Sequence, residues 1–212
     1  MKFAIGIPTL NRFDYLLPSL LIYSNDFKGV DIYVLDNGKQ GISSCPNLKG
    51  LKNIHVIEND NNIGVGASWN VLCETIFKNY DNALILNDDI LLGRKTHEIE
   101  EIIKKNKVRG LLRSTLDWCS FIMTKEMFQS IGKFDECFYP AYYEDKSYEY
   151  RMKLNKVMPI RSVVLNPFIY QSSKNLEKMP SIIDSSLKNN QLYIEMWGGE
   201  PHQEKFKTPF NN

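Results

Sequence analysis

Ala83-Leu84-Ile85-Leu86-Asn87-Asp88-Asp89 is the stretch from which this chain is best read. Four apolar residues, the length of a short strand covered on both faces, pass without a break into an amide and two carboxylates. Adjacent carboxylates at the end of a buried strand repel each other and call for a cation or for hydrogen-bond donors nearby. A hard divalent ion, Mn²⁺ or Mg²⁺, held by few carboxylates and by substrate phosphates, meets that need. A capped turn with solvated aspartates explains the pair alone equally well, so its meaning depends on its surroundings.

Outward from that point the chain alternates strand and helix. Lys2 to Ile7 reads as a first strand closed by Pro8, and Val30 to Leu35 as a second, ending in the turn residues Asp36-Asn37-Gly38. Ile54 to Ile57 reads as a third, before the polar loop Asn59 to Asn62. Between the first two, Asp14 is expected to cap a helix carrying Leu16, Leu17, Leu20 and Leu21, with Pro18 near its first turn. Trp69, Leu72, Cys73, Ile76, Phe77 and Tyr80 make one apolar helix face. Thr96 is expected to cap a helix with Glu98, Glu100 and Glu101 early and Lys104, Lys105 and Lys107 late, matching the helix dipole. Such alternation implies a parallel sheet of βαβ units. Beyond residue 108 the pattern becomes mixed: Cys119 to Thr124 a strand, Lys125 to Ile131 a helix stopped by Gly132, Asp145 to Asn155 a helix, Val157 to Leu165 a strand and Ser181 to Trp197 a last helix.

Composition narrows the function classes. The chain has 212 residues, 43% hydrophobic and 24% charged, which suits one soluble α/β domain. Lys and Arg total 26 against 25 Asp and Glu, a net charge of +1 without single-sign blocks, which argues against a nucleic-acid binder. No run approaches the ~18 apolar residues of a membrane span, and no transmembrane segment is expected. Cys45, Cys73, Cys119 and Cys137 show no ligand spacing and read as reduced thiols, hence a cytoplasmic protein. Gly64-Val65-Gly66 is not a dinucleotide fingerprint, because Trp69 occupies the third glycine position. His55 and His97 read as ordinary residues rather than ligands.

In parallel α/β sheets ligands bind at the carboxyl ends of the strands. Three such ends carry distinctive groups here: Pro8-Thr9-Leu10-Asn11-Arg12, Asp36-Asn37-Gly38 and Asn87-Asp88-Asp89. Downstream stand Gly132-Lys133-Phe134-Asp135-Glu136, Phe138-Tyr139-Pro140, Tyr142-Tyr143-Glu144-Asp145 and Arg151. In this order, over roughly residues 3 to 155, they resemble the GT-A glycosyltransferases of the inverting family 2 type. The tail, Trp197-Gly198-Gly199-Glu200-Pro201 to Pro209-Phe210, looks like the ending of some bacterial and viral members.

The resemblance implies a GT-A, Rossmann-like α/β fold, with a mostly parallel central sheet flanked by helices and a mixed C-terminal half. It implies one domain over 1–212: a nucleotide-sugar-binding half at 1–107, an acceptor and catalytic half at 108–197, and a tail or lid at 198–212. Pro8, Thr9, Leu10, Arg12, Asp36, Asn62, Gly64, Asn87 and Asp88 would bind the nucleotide-sugar, with Asp36 on the base and Asp89 on the metal. Asp145 would take the acceptor proton, with Glu144 beside it holding acceptor hydroxyls and the helix N-terminus keeping Asp145 ionised. Trp118 and Tyr142 are aromatic candidates for acceptor contacts, although Tyr139, Tyr142, Tyr143, Tyr148 and Tyr150 also suit core packing. The expected partners are a nucleotide-diphosphate sugar, with UDP favoured by Asp36, and a glycan or glycoprotein acceptor; further domains in a longer protein are compatible with the sequence.

Departures from the family pattern are also legible. Leu10 stands where the family often has Tyr, Ser68-Trp69-Asn70 replaces a frequent Ala-Arg-Asn, and Asn87 replaces a first aspartate. The late metal-binding histidine is missing after Val164, leaving Tyr170, Gln171, His202 or waters to complete the shell. Two other functions compete: a sugar nucleotidyltransferase, which would show a glycine-rich basic loop after the first strand, and a catalytically inactive nucleotide-sugar or carbohydrate-binding module, against which Asp88-Asp89 and Glu144-Asp145 speak.

Overall fold

The computed structural model describes residues 2–105, 110–170 and 181–212. Lys107 and Gln171 therefore lie outside the described residues. The elements run β1 (Phe3–Thr9), α1 (Phe13–Asp26), β2 (Ile32–Asn37), β3 (Ile54–Asn59), α2 (Val65–Ile76), β4 (Asn82–Leu86), β5 (Ile90–Leu91) and α3 (Thr96–Lys105). After them come β6 (Leu111–Ser114), β7 (Ser120–Thr124), α4 (Lys125–Ile131), α5 (Glu144–Leu154), β8 (Ile160–Ser162), β9 (Ile169–Tyr170) and α6 (Ser181–Trp197).

Seven strands form one sheet in the order β3-β2-β1-β4-β7-β6-β8. β1 pairs in parallel with β2 and β4, β2 with β3, and β6 with β8; β7 alone runs against its neighbours β4 and β6. The protein is thus a mixed α/β, Rossmann-like fold with a mostly parallel sheet between helices. β1 explains the layering. Phe3, Ile5 and Ile7 point to one face and pack with Leu16, Leu20 and Tyr23 of α1 and Ile99, Ile102 and Ile103 of α3. Ala4 points to the other, where Trp69, Leu72 and Ile76 of α2 join Phe121, Phe128 and Tyr148. A third cluster of Phe138, Tyr150, Tyr193, Met196 and Trp197 fastens α6 to α5.

Several local expectations change. Arg12, not Asp14, is the residue before α1, and Pro18 falls in the second turn, where it removes the bond its N–H would have made to Asp14. α2 starts at Val65 and ends at Ile76, so Phe77 and Tyr80 lie beyond it. Thr96 is the first residue of α3; the N–H of Lys95 before it donates to Glu98 Oε2 at 2.9 Å, half of a capping box. The long strand expected over Val157 to Leu165 is only Ile160–Ser162, because the Ser162 hydroxyl accepts the Val164 N–H and turns the chain into a single 3₁₀ turn. The tail folds back: Lys205 and Phe206 N–H groups donate to the Trp197 carbonyl, and the Tyr150 hydroxyl donates to the Phe206 carbonyl at 2.7 Å. All four cysteines are unpaired. Among the described residues no helix is long and apolar enough to cross a membrane.

Candidate functional site

The carboxyl ends of β1 and β4 open into a cleft of about 420 Å³. Pro8, Thr9, Leu10 and Arg12 form one wall, Asn87, Asp88 and Asp89 a second, and Asn37, Asn62, Gly64, Val65 and Ser68 a third. Tyr139, Pro140 and Ala141 make the roof, with Ser185 of α6 behind them. Parallel pairing of β1 with β4 brings the post-β1 loop beside the acidic cluster, since both strands end on the same side.

The third wall is a hydrogen-bonded frame. The Asn37 side chain donates to Asn62 Oδ1 at 2.9 Å and to the Ser68 hydroxyl at 3.1 Å, and it accepts the Ile63 N–H at 2.9 Å. Asn62 Oδ1 also accepts the Gly64 N–H at 2.9 Å. Gly64 begins the approach to α2 at φ +83°, and a Cβ there would stand 3.0 Å from the Pro140 carbonyl oxygen, so only glycine fits beneath the roof. The Val65 N–H donates to that same carbonyl at 2.8 Å. Asn37 is a site residue that sequence reading took only as turn chemistry; its polar side chain at the end of a buried strand was the available signal.

Arg12 has the most unusual surroundings. It is 5% exposed, lies 4.2 Å above the Tyr15 ring, and none of its guanidinium nitrogens has a hydrogen-bond partner among the described residues. A buried guanidinium opening on a cleft is a ready anion contact, suited to bidentate binding of phosphate. Across from it, burial pushes the Asp88 carboxyl up to about 7. The Thr9 hydroxyl opposes that rise, Asp89 adds to it, and Arg12 and the Leu10 N–H pull back. Asp89 is 5% exposed. Among the described residues no group of three His, Cys, Asp or Glu is placed to hold a metal. The residues present nonetheless fit a hard cation that takes its other ligands from phosphate and water, because positive charge would relieve the Asp88–Asp89 repulsion. His202 does not line this cleft; its N–H donates to Glu204 in the tail.

Asp36 is placed differently from the resemblance. It is fully buried, with Oδ1 accepting the Gln40 N–H and Nε2–H at 2.9 Å each and Oδ2 accepting the Ile42 N–H at 3.2 Å. Gln40 in turn donates to the Thr9 carbonyl and accepts the Asn11 N–H. The carboxylate holds the loop after β2 against the loop after β1, and it does not line the cleft. Trp118 is likewise away from solvent: it is 5% exposed, stacks on Trp69, meets Phe121 and Phe134 edge-to-face, and donates from Nε1 to Glu149 at 2.9 Å. Its position is that of a core residue rather than an acceptor contact.

Glu144 and Asp145 open α5, after Tyr142 and Tyr143 turn the chain at φ +75° and +77°. Glu144 is buried against the first turn of α2; a Cβ on Gly66 would stand 3.3 Å from the Glu144 Cβ. Burial, with Asp145 adding repulsion, pushes Glu144 up to about 8. Burial also raises Asp145, outweighing the help of Lys146, whose ammonium lies 3.6 Å away. The expectation that the helix terminus would hold Asp145 low is thereby corrected. Asp145 does not line the large cleft. It lines a second one of about 270 Å³ with Tyr142, Tyr143, Lys146, Ser186 and Pro201, beginning at the residues that follow the roof loop in the chain. Tyr142 is 41% exposed there. Asn189 of α6 holds that loop by donating to the carbonyls of Ala141 at 2.8 Å and Tyr142 at 3.2 Å. Asp135 and Arg151 are structural: Arg151 Nε lies 3.3 Å from Asp135, which accepts from Ser147, itself the acceptor of the Trp197 Nε1–H at 2.9 Å.

No protein-family model matches the chain, and no curated protein sequence matches it. Solved structures match in fold. A protein of Desulfovibrio desulfuricans G20 assigned as a nucleotide-diphospho-sugar transferase superposes with a TM-score of 0.52 at 8% identity, over 76% of this chain and 80% of that one. A CMP:2-keto-3-deoxy-manno-octonic acid synthetase complexed with CTP gives 0.51 at 11%, over 87% and 99%. A cytidylyltransferase from Leptospira borgpetersenii serovar Hardjo-bovis gives 0.51 at 15%, over 76% of each chain. The likeness is one of fold, shared by nucleotide-sugar transferases and cytidylyltransferases alike.

Proposed function

We propose that the chain is an inverting glycosyltransferase that moves a sugar from a nucleoside diphosphate sugar to a hydroxyl of a glycan or glycoprotein. The observation that carries the reading is the cleft itself, where a buried guanidinium without hydrogen bonds faces two crowded carboxylates beside a glycine-opened helix terminus. Arg12 suits the diphosphate. Asn87 and Asp88 suit the ribose or diphosphate. Asp89, with Asp88, would hold Mn²⁺ or Mg²⁺, which supplies Lewis-acid stabilisation of the departing diphosphate. In this reading Asp145, at the second cleft, takes the proton of the acceptor hydroxyl as its oxygen bonds to the anomeric carbon and the bond from that carbon to the diphosphate breaks, which requires the two clefts to meet when both substrates are bound; burial raises its proton affinity above that of an exposed aspartate.

A second reading, nucleotidyl transfer, is favoured by the two cytidylyltransferase-type structures. Against it, the loop Pro8-Thr9-Leu10-Asn11-Arg12 contains no glycine and is braced by Gln40. Binding of UDP, GDP, CDP and their sugars, with and without Mn²⁺, followed by product analysis, separates the readings. Glycosyl transfer or slow hydrolysis releases a nucleoside diphosphate; nucleotidyl transfer consumes a triphosphate and releases pyrophosphate. Absence of metal-dependent binding to every diphosphate nucleotide would sink the first reading.

A further inference from the structure

Arg113 is buried and forms an ion pair with Glu149, whose side chain keeps 17% exposure. Arg113 stands in β6 between Leu112 and Ser114 and is 5% exposed. Its Nε lies 3.0 Å from Glu149 Oε1, and its Nη1 donates to the Ser114 carbonyl at 3.2 Å. The same Glu149 oxygen accepts the Trp118 Nε1–H at 2.9 Å, and the guanidinium lies 5.9 Å from the Trp118 ring. Buried pairs of this kind commonly stabilise a fold no more than apolar groups of equal volume do. Glu149 sits one helical turn after Asp145 on α5, on the same face. Among the described residues, the charged and titratable groups that meet Asp145 include Glu144, Lys146 and Glu149 on its own helix, Tyr142 and Tyr143 in the turn before it, Arg113 from β6 and Tyr193 from α6.

Resting on the reading of Asp145 as the base, we propose that Arg113 and Glu149 are positioning residues for it. They pin the first turns of α5 to β6 and fix the balance of charge that the Asp145 carboxylate meets. Glu149 discourages ionisation of Asp145 and Arg113 restores it, the directions in which each moves the carboxyl. A general base must be ionised at the working pH yet still hold a proton well. A plus and a minus charge on one side of the carboxylate serve both needs without leaving net charge in the core.

The test is a carbon-13 carboxyl titration of Asp145 by NMR in the full chain, in wild type, Glu149→Gln and Arg113→Met. The two variants should move the midpoint in opposite directions, by about one pH unit, down for Glu149→Gln and up for Arg113→Met. A role confined to packing lowers the melting temperature of both and moves neither midpoint, which would overturn the proposal, as would shifts of one sign. Where Arg113→Met fails to fold, Glu149→Gln decides alone: it keeps an oxygen for Trp118 and Arg113, and a midpoint that does not fall overturns the proposal. The acid limb of the transfer-rate profile should follow the NMR midpoint. Opposite NMR shifts with an unmoved acid limb would leave the coupling standing and remove Asp145 as the base, so the two failures are distinguishable.

Discussion

The two clefts are held open by different means. The larger is framed by short-range hydrogen bonds among strand ends and loops: Asn37 to Asn62 and Ser68, and Gln40 to Asp36 and Thr9. The smaller depends on distant packing, since its roof hangs from Asn189 and α5 is fastened through Ser147 to Trp197. On the proposed reading, the polar frame would fix where a donor's phosphates go. On the same reading, the aromatic clamp would fix how Asp145 faces an acceptor. Damage to the first should appear in donor affinity, and damage to the second in turnover.

The largest expected effect is on the second cleft. Asp145→Asn should lower the transfer rate by roughly 10²- to 10⁴-fold, the usual contribution of a general base, and leave donor affinity nearly unchanged. Titration calorimetry beside a rate assay checks it, and loss of donor binding would erase the distinction between the clefts. Trp197→Ala comes next: it removes a 1%-exposed ring and the donor to Ser147. Stability should fall by about 3–5 kcal/mol in a denaturant titration. Among molecules still folded, turnover should suffer more than donor affinity; equal losses would show that the tail supports both clefts alike.

In the first cleft, Arg12→Leu should weaken nucleoside diphosphate binding about 10- to 100-fold, the worth of a charge-assisted contact. Because Arg12 helps ionise Asp88, the metal dependence should weaken with it. Unchanged affinity would move the diphosphate elsewhere. The last expected effect is one of pH. Glu144 rises from an ordinary 4.5 to about 8, so between those values the folded chain holds a proton that the unfolded chain has lost. That group's contribution is intact below pH 4.5 and is lost as pH climbs towards 8. Glu144→Gln, neutral throughout, should therefore gain in melting temperature relative to wild type from pH 5 to pH 8. A constant difference across that range would contradict the raised Glu144.

The N-terminal half was far more legible in the sequence than the C-terminal half. β1, β2 and β4 are short apolar runs that end in polar residues, and parallel pairing then brings those ends together by rule. β6 escaped notice because Arg113 interrupts its four residues and no alternation survives. Ser162 broke the strand expected around it through one hydroxyl contact that periodicity does not encode. Asp36 has the residue type and position of a base-reading carboxylate. That its oxygens are engaged by Gln40 and Ile42 depends on the path of a loop, which spacing does not reveal. Trp118 looked available because aromatics suit sugars; its burial follows from Trp69, Phe121 and Phe134 converging from three separate elements.

Ser185 and Ser186 are consecutive residues of α6, yet the first borders the larger cleft and the second the smaller. One helix thus forms part of both rims, and Asn189, a turn further on, grips the loop between them. Any ligand that displaces this helix from one side changes the binding free energy on the other, and linkage requires the change to be equal in both directions. Order of addition, in kinetics or calorimetry, then becomes a readout of where α6 sits.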